Sequence, residues 1–371
     1  MALLFVKGRK MSKINVIDLF CGAGGLSKGL IDAGFNVLLG CDNDKDALHT
    51  FEINHNGALS INADLSSEKV LYEISESLNS KKVDVIVAGP PCQGFSLTGP
   101  RKFEDPRNKL YLAVISLVKM IRPKGFLIEN VPGMATMYKG QVKNEIIKRL
   151  SRIGYSVKAK ILCAADYGVP QIRKRLIIMG VRQDVGIPEF PNPVLKKESY
   201  ITCREAIDDL PSRENGNLGN EVDNYIEKPH TSYQKKMRGK NNILYNHVAS
   251  KHKQFVKDVI SQVPEGGNYK DLPVGVGTSR NFHMAWTRLN GNAPARTVDT
   301  GHRNIFHYEY NRIPTVRENA RLQSFPDNFI FTGSRTHQQM QVGNAVPPLL
   351  GYYLGKELKK IIRKEDIYIN D

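Results

Sequence analysis

The chain is poor in cysteine, has no long apolar run and, over one basic stretch, no acid at all. Its five cysteines (Cys21, Cys41, Cys92, Cys163 and Cys203) are scattered and odd in number, with no C-x-x-C pair. That argues against a disulfide-stapled scaffold and a structural zinc site, and for a reducing cytoplasm. No metal is expected. No segment approaches the ~18 consecutive apolar residues of a membrane span, so no membrane partner is expected either. The apolar run Ala2–Val6 is short and precedes Lys7, Arg9 and Lys10, the reverse of the order in a secretory signal. Residues 1–12 read as an N-terminal extension, and no internal repeat is visible.

What is present is positive charge on a foldable chain. The 371 residues carry 53 Lys and Arg against 37 Asp and Glu, a formal net charge of +16, and are 41% hydrophobic. That is enough apolar material for a core, and the charge implies a polyanionic partner. The excess is uneven. Ten basic residues between Gln141 and Arg182 face two acids, Glu145 and Asp166. From Thr231 to Lys257 there are seven (Lys235, Lys236, Arg238, Lys240, Lys251, Lys253 and Lys257) and no acid, interleaved with His247, His252, Tyr233 and Tyr245. Cations mixed with aromatics are the footprint of phosphate contact with base stacking, although a solvated surface would have the same composition.

The pattern up to residue 183 alternates apolar runs with helical segments. Ile14–Phe20, Val37–Cys41, Leu59–Asn62, Val83–Ala88, Phe126–Glu129 and Leu176–Val181 read as strands, with helices such as Leu26–Ala33 and Lys45–Asn54 between them. Strands apolar on both faces and separated by helices imply an α/β fold with a doubly wound, mostly parallel sheet. From 184 to 310 the pattern breaks up around Pro188, Pro191, Pro193 and Pro211, implying a second, smaller, irregular region. Regularity returns over 311–371, where Pro348–Arg363 reads as a closing helix.

Two loops at strand ends carry chemistry. Asp18-Leu-Phe-Cys-Gly22-Ala-Gly24-Gly25-Leu26 follows the first strand, and its glycines allow close backbone approach to a ligand. The spacing is not G-x-G-x-x-G, which disfavours a dinucleotide. Asp42, at the end of the second strand, suits ribose hydroxyls, and Asp64, after the third, an adenine amino group. Helix capping is the competing role for such acids. Together they favour a nucleoside-type cofactor without a pyrophosphate. The second loop, Gly89-Pro-Pro-Cys92-Gln-Gly-Phe-Ser96, holds a thiol out from a strand end, where nucleophiles are expected. Glu129 and the arginines of Gln171-Ile-Arg173-Lys-Arg175 come to the same sheet edge.

In order along the chain, these motifs resemble those of bacterial DNA (cytosine-5) methyltransferases of the restriction-modification type. The matching runs are DLFCGAGG (Asp18–Gly25), GPPCQGFS (Gly89–Ser96), ENV (Glu129–Val131), QIRKR (Gln171–Arg175), RENARLQSFPD (Arg317–Asp327) and QVGNAVPP (Gln341–Pro348). The resemblance implies a class I S-adenosylmethionine-dependent methyltransferase fold and methylation of cytosine carbon 5 in a specific double-stranded DNA sequence. It implies Cys92 as nucleophile to carbon 6, Glu129 as the acid at ring N3, Arg173 at the O2 oxygen, and Arg175 on a phosphate or on Glu129. For S-adenosylmethionine it implies Asp18, Phe20, Gly22, Gly24, Leu26, Asp42, Asn43, Asp64, Pro90, Leu110, Asn344 and Val346. Asp42 stands where many members carry Glu, Asn43 where an aromatic often lies, and His307-Tyr308 replaces a frequent His-Pro. The target base must leave the duplex to be reached. The DNA contacts expected are Ser96, Arg101, Arg107, Lys235, Arg238, His247, Lys251 and Arg303. A monomer is expected, paired in function with a restriction endonuclease without a stable complex. A tRNA substrate and a catalytically silent DNA-binding regulator are the alternative readings.

Overall fold

The computed structural model describes residues 13–91, 109–214, 217–280, 282, 285–301 and 304–368. Chain order begins β1 (Ile14–Leu19), α1 (Gly25–Asp32), β2 (Phe35–Asp42), α2 (Lys45–Asn54), β3 (Leu59–Asn62), α3 (Glu68–Ser77), β4 (Val85–Ala88), α4 (Lys109–Ile121) and β5 (Gly125–Asn130). It continues with α5 (Gly133–Thr136), α6 (Gln141–Arg152), β6 (Tyr155–Cys163), β7 (Gln171–Ile172) and β8 (Lys174–Arg182). Among the described residues, seven strands form one sheet in the order β3-β2-β1-β4-β5-β8-β6. The first five are parallel, and β8 runs antiparallel to both β5 and β6.

Successive strand residues point to opposite faces, so the apolar runs feed two cores at once. Val16, Val85, Val87 and Ile177 pack on one side with Leu26 and Leu30 of α1 and with Leu354 and Leu358 of the closing helix. Ile17, Ile86, Phe126 and Ile178 pack on the other with Leu71, Val114 and Ile146 of α3, α4 and α6. Burial of each such large side chain contributes roughly 1.5–3 kcal/mol. Strand β6 is not apparent in the hydrophobic pattern. It is an edge strand with Lys158 and Lys160 in it, and its outer positions are open to solvent. Of the ten basic residues between Gln141 and Arg182, six lie on α6 and β6. Lysines on an edge strand also hinder pairing with another chain.

The remaining elements are short: α7 (Cys203–Ile207), β9 (Val222–Asn224), α8 (Ser232–Arg238), β10 (Ile243–Tyr245), α9 (Gln254–Ser261), β11 (Thr287–Arg288), β12 (Ala295–Arg296) and β13 (Ile305–Phe306). They are followed by α10 (Val316–Leu322), α11 (Arg335–Asn344) and α12 (Pro348–Tyr368). A small separate cluster of Val256, Ile260, Val263, Trp286 and Phe306 forms here. Much of the rest is held by buried charge. Arg321 is fully buried and ion-paired to both Asp209 and Asp327. Arg317 donates to the carbonyls of Tyr245 (2.9 Å), Pro326 (3.1 Å) and Phe329 (2.6 Å). Arg312 forks onto Glu318 with two 2.7 Å bonds. The charged residues of the RENARLQ segment thus face inward and tie α10 to α7 and β10.

Candidate active site

The C-terminal ends of β1, β2, β4 and β5 converge on one edge of the sheet. At the end of β1 the chain turns through Phe20 (φ 58) and Gly22 (φ 51) into α1. The Gly22 N–H donates to Asp42 Oδ2 at 2.7 Å, joining the loop to the end of β2. Asp42 Oδ1 accepts from the Asp44 N–H at 2.9 Å, and burial holds its pKa above the ordinary carboxylate value. Capping of α2 falls to Asp44, which accepts from the N–H groups of Asp46 and Ala47. Gly24 (φ 88) sits on the buried His55 ring, and a Cβ there would come within 2.2 Å of it. Only glycine satisfies both that dihedral and that contact. Asn43 and Asp64 are exposed beside this loop, although Asp64 also receives the Ser66 N–H at 2.9 Å. Leu110, in the first turn of α4, is half-buried and Asn344 is exposed.

At the end of β4, the Gly89 N–H donates to the Leu19 carbonyl at 3.2 Å. Asn130 Nδ2 donates to the Pro90 carbonyl at 2.9 Å, so a buried amide at the end of β5 fixes the Pro90–Pro91 turn. Cys92 follows it directly. Cys92, Ser96, Arg101, Arg107 and Arg303 lie outside the described residues. Glu129 lies under the start of this loop, with its Oε2 3.7 Å from where a Cβ on Gly89 would be. Arg175 Nε reaches Glu129 Oε1 at 2.7 Å, and both side chains are largely buried. Burial raises the Glu129 pKa above the usual value, opposed by Arg175 and then Arg173. A protonatable carboxyl, a guanidinium and the fixed Pro90–Pro91 turn thus share one small volume. They can deliver a proton to a base and stabilise negative charge on it.

A family model described as C-5 cytosine-specific DNA methylase matches residues 14–360. The chain belongs to this family. Among curated relatives, the methylase is 37% identical to the Type II methyltransferase M1.HphI of Haemophilus parahaemolyticus, over 95% of this chain and 88% of the relative. It is also 37% identical to the Type II methyltransferase M.DdeI of Desulfomicrobium norvegicum, over 93% of this chain and 88% of the relative. Among solved structures, a DNA modification methyltransferase encoded within an Escherichia coli prophage superposes with a TM-score of 0.79 at 30% identity, covering 95% of this chain and 100% of that one. The protein is a DNA (cytosine-5)-methyltransferase with the class I methyltransferase fold.

Several expected roles change with the methylase's geometry. Arg173 acts on Glu129 only through its charge and makes no ion pair with it. It is 1% exposed, and its Nη2 donates to the Gly343 carbonyl at 2.9 Å, while Arg175 holds the acid. Burial lowers the Arg173 pKa to about 9. Arg173 lies between β7 and β8 and is buried beside Gln171, whereas the register of β8 carries Arg175 to the end of β5. His247 is not a DNA contact. It is fully buried, with Nδ1 2.8 Å from Thr315 Oγ1 and Nε2 2.7 Å from the Pro211 carbonyl. Burial pushes its pKa down to about 4, leaving a neutral structural imidazole. Arg238 lies over the Tyr225 ring at 3.5 Å and donates to the Glu227 carbonyl, so its head group is already engaged. Lys235 and Lys251 are exposed. Asp18 is buried and accepts from Ser27 Oγ at 2.7 Å, with its pKa raised to about 7 by burial. It ties β1 to α1 from the inside instead of facing a ligand. The side chains of Leu26 and Val346 belong to the core.

Sequence reasoning missed His55 and Asn130. Both support loop backbone through side-chain hydrogen bonds, and such bonds leave no periodic trace. Among the described residues, no cluster of three or more His, Cys, Asp or Glu is arranged to hold a metal ion. No helix there is long and apolar enough to cross a membrane.

Proposed function

We propose that the methylase transfers a methyl group from S-adenosylmethionine to carbon 5 of a cytosine flipped out of double-stranded DNA, through a covalent adduct of Cys92 with ring carbon 6. The observation that carries this reading is the Glu129–Arg175 pair beneath the loop that leads into Cys92. The β1–α1 loop suits the cofactor. Gly22 has nothing within 4 Å of the place a Cβ would take, leaving an open cradle next to the Asp42 carboxylate. Asp42 would hold ribose hydroxyls with its remaining lone pairs, and Asn43 and Asp64 flank an adenine position. When bound, the cofactor supplies an electrophilic methyl group on a sulfonium.

Cytosine carbon 5 is too weak a nucleophile to take that methyl unaided. The Cys92 thiolate adds to carbon 6, and the electron pair displaced from the ring double bond makes carbon 5 nucleophilic. Glu129, kept protonatable by burial, gives its proton to N3 as the sulfur–carbon bond forms. Arg175 orients Glu129 and stabilises charge developing on the ring. Once carbon 5 is methylated its proton passes to water, Glu129 takes back the N3 proton, and the returning electron pair expels the Cys92 thiolate by β-elimination. A free thiol with a pKa near ~8.5 is only a few per cent thiolate at neutral pH, so the neighbouring cations favour the attack.

In this reading residues 13–183 bind the cofactor and carry the chemistry, residues 184–310 read the DNA, and residues 311–371 return to the catalytic half. The enzyme works as a monomer in the bacterial cytoplasm, and a restriction endonuclease is its functional counterpart. The Type II designation of the relatives supports that pairing. The test is incubation with methyl-labelled cofactor and unmethylated genomic DNA, followed by base analysis. Label in 5-methylcytosine is expected, and label on adenine or on cytosine N4 refutes the mechanism. Cys92→Ser protein is expected to bind cofactor normally and to lose turnover.

A further inference from the structure

The DNA-reading half and the cofactor half are joined by an unbroken chain of buried amides. Strand β12 pairs with β7, aligning Ala295 with Gln171 and Arg296 with Ile172. Just beyond, the Val298 N–H donates to Gln171 Oε1 at 3.0 Å. The other end of the same amide, Nε2, donates to the Leu322 carbonyl at 3.1 Å and to Gln323 Oε1. Gln323 Nε2 then donates to the carbonyls of Val342 (3.0 Å) and Ala345 (2.8 Å). Between these two, Arg173 takes the Gly343 carbonyl. Gln171 and Gln323 have no exposed surface.

The turn held in this way is wedged from both sides. A Cβ on Gly343 would lie 2.3 Å from the Asp299 carbonyl oxygen, on the DNA-reading side. A Cβ on Gly25, where the cofactor loop enters α1, would lie 2.4 Å from the Val346 carbonyl oxygen. Backbone therefore touches backbone from Asp299 through Gly343 and Val346 to Gly25. A displacement of Val298–Asp299 must either move the Val342–Val346 turn or leave a buried amide unpaired. An unpaired buried polar group is costly, so the concerted movement is favoured.

We propose that Gln171 and Gln323 form a positioning relay through which engagement of DNA by the recognition half sets the affinity of the cofactor loop. This rests on the assignment of the β1–α1 loop to S-adenosylmethionine. Linkage makes the effect reciprocal: what DNA does to cofactor affinity, cofactor does to DNA affinity.

The experiment measures the dissociation constant of S-adenosylhomocysteine for the purified protein, alone and with excess sonicated unmethylated genomic DNA. Wild type is expected to bind the probe more tightly with DNA, by a factor in the range of about 5–150 typical of coupled sites. Gln171→Met, similar in volume but without amide hydrogen bonds, is expected to keep the DNA-free constant and lose most of that factor. A purely structural role would weaken both constants together and leave their ratio unchanged, which would overturn the relay. So would a wild type whose constant does not respond to DNA. Where Gln171→Met does not fold, Gln171→Glu retains the oxygen that receives Val298 and lacks the amide donors, and the same ratio decides. Wild-type protein that fails to bind the probe under either condition refutes the cofactor assignment, an outcome separable from failure of the relay.

Discussion

The sheet and the irregular half of this methylase are held together by different means. Val16, Ile86, Ile177 and their neighbours fill two apolar layers, and each strand residue needs only to be hydrophobic and of suitable size. Around α10, by contrast, Arg317, Glu318, Arg321 and Asp327 are each at most 1% exposed, and each is matched to a particular partner. Apolar packing tolerates volume-conserving exchange, whereas a buried ion pair fails when either member is removed. The irregular half can therefore keep a fixed shape with little regular secondary structure. Charge also works differently at the sheet edge. There Glu129 and Arg175 border the strand-end loop that leads to Cys92 instead of bracing a fold.

Exchanging groups of each kind separates these roles. Glu129→Gln is expected to lower kcat/KM by about 10²–10⁴-fold, the usual contribution of a general acid, with little change in the urea midpoint. A large loss of stability instead would place Glu129 with the bracing charges. Arg321→Met strands Asp209 and Asp327 and should destabilise the protein by roughly 3–5 kcal/mol, read as a lower urea midpoint. Leu30→Ala, in the apolar layer beneath α12, should cost about 2–5 kcal/mol. If it disturbs DNA affinity more than Arg321→Met does, the contrast between the two halves fails.

A smaller effect depends on pH. Burial lowers the pKa of His307 to about 3, and its neutral ring accepts from the N–H groups of Glu309 and Tyr310. The unfolded chain binds the proton first, near pH ~6.5. The stability His307 contributes is thus complete above that pH and is lost as pH falls toward 3. By pH 5 the loss amounts to roughly 2 kcal/mol. His307→Asn should remove that share of the acid sensitivity, so that its deficit against wild type narrows on acidification. A deficit that widens instead would mean that the ring is charged in the native state. The smallest effect is expected at the edge strand, where Lys160→Gln should shift stability by no more than about 0.5 kcal/mol.

How much of this was legible in the sequence follows from the same contrast. Strands β1, β2, β4, β5 and β8 were visible because residues buried on both faces must be apolar. Strand β6 was hidden, since an edge strand open to water needs no apolar alternation. The motifs brought Glu129 and the arginines to one sheet edge. They left Arg175 on a phosphate or on Glu129, because that choice depends on the register of β8 against β5. His247 looked like part of a basic, aromatic DNA-facing stretch, and sequence has no sign for a ring whose two nitrogens are both satisfied inside.

By itself, then, the sequence determined the class of fold, the polyanionic partner and the set of reactive side chains, because these follow from local pattern, composition and ordered motifs. Only the tertiary structure decided that Arg175 meets Glu129, that the α10 charges point inward, and that Gln171 and Gln323 join the two halves. Those outcomes depend on contacts between residues more than a hundred positions apart or on strand register, and burial reverses what an exposed charge would otherwise do.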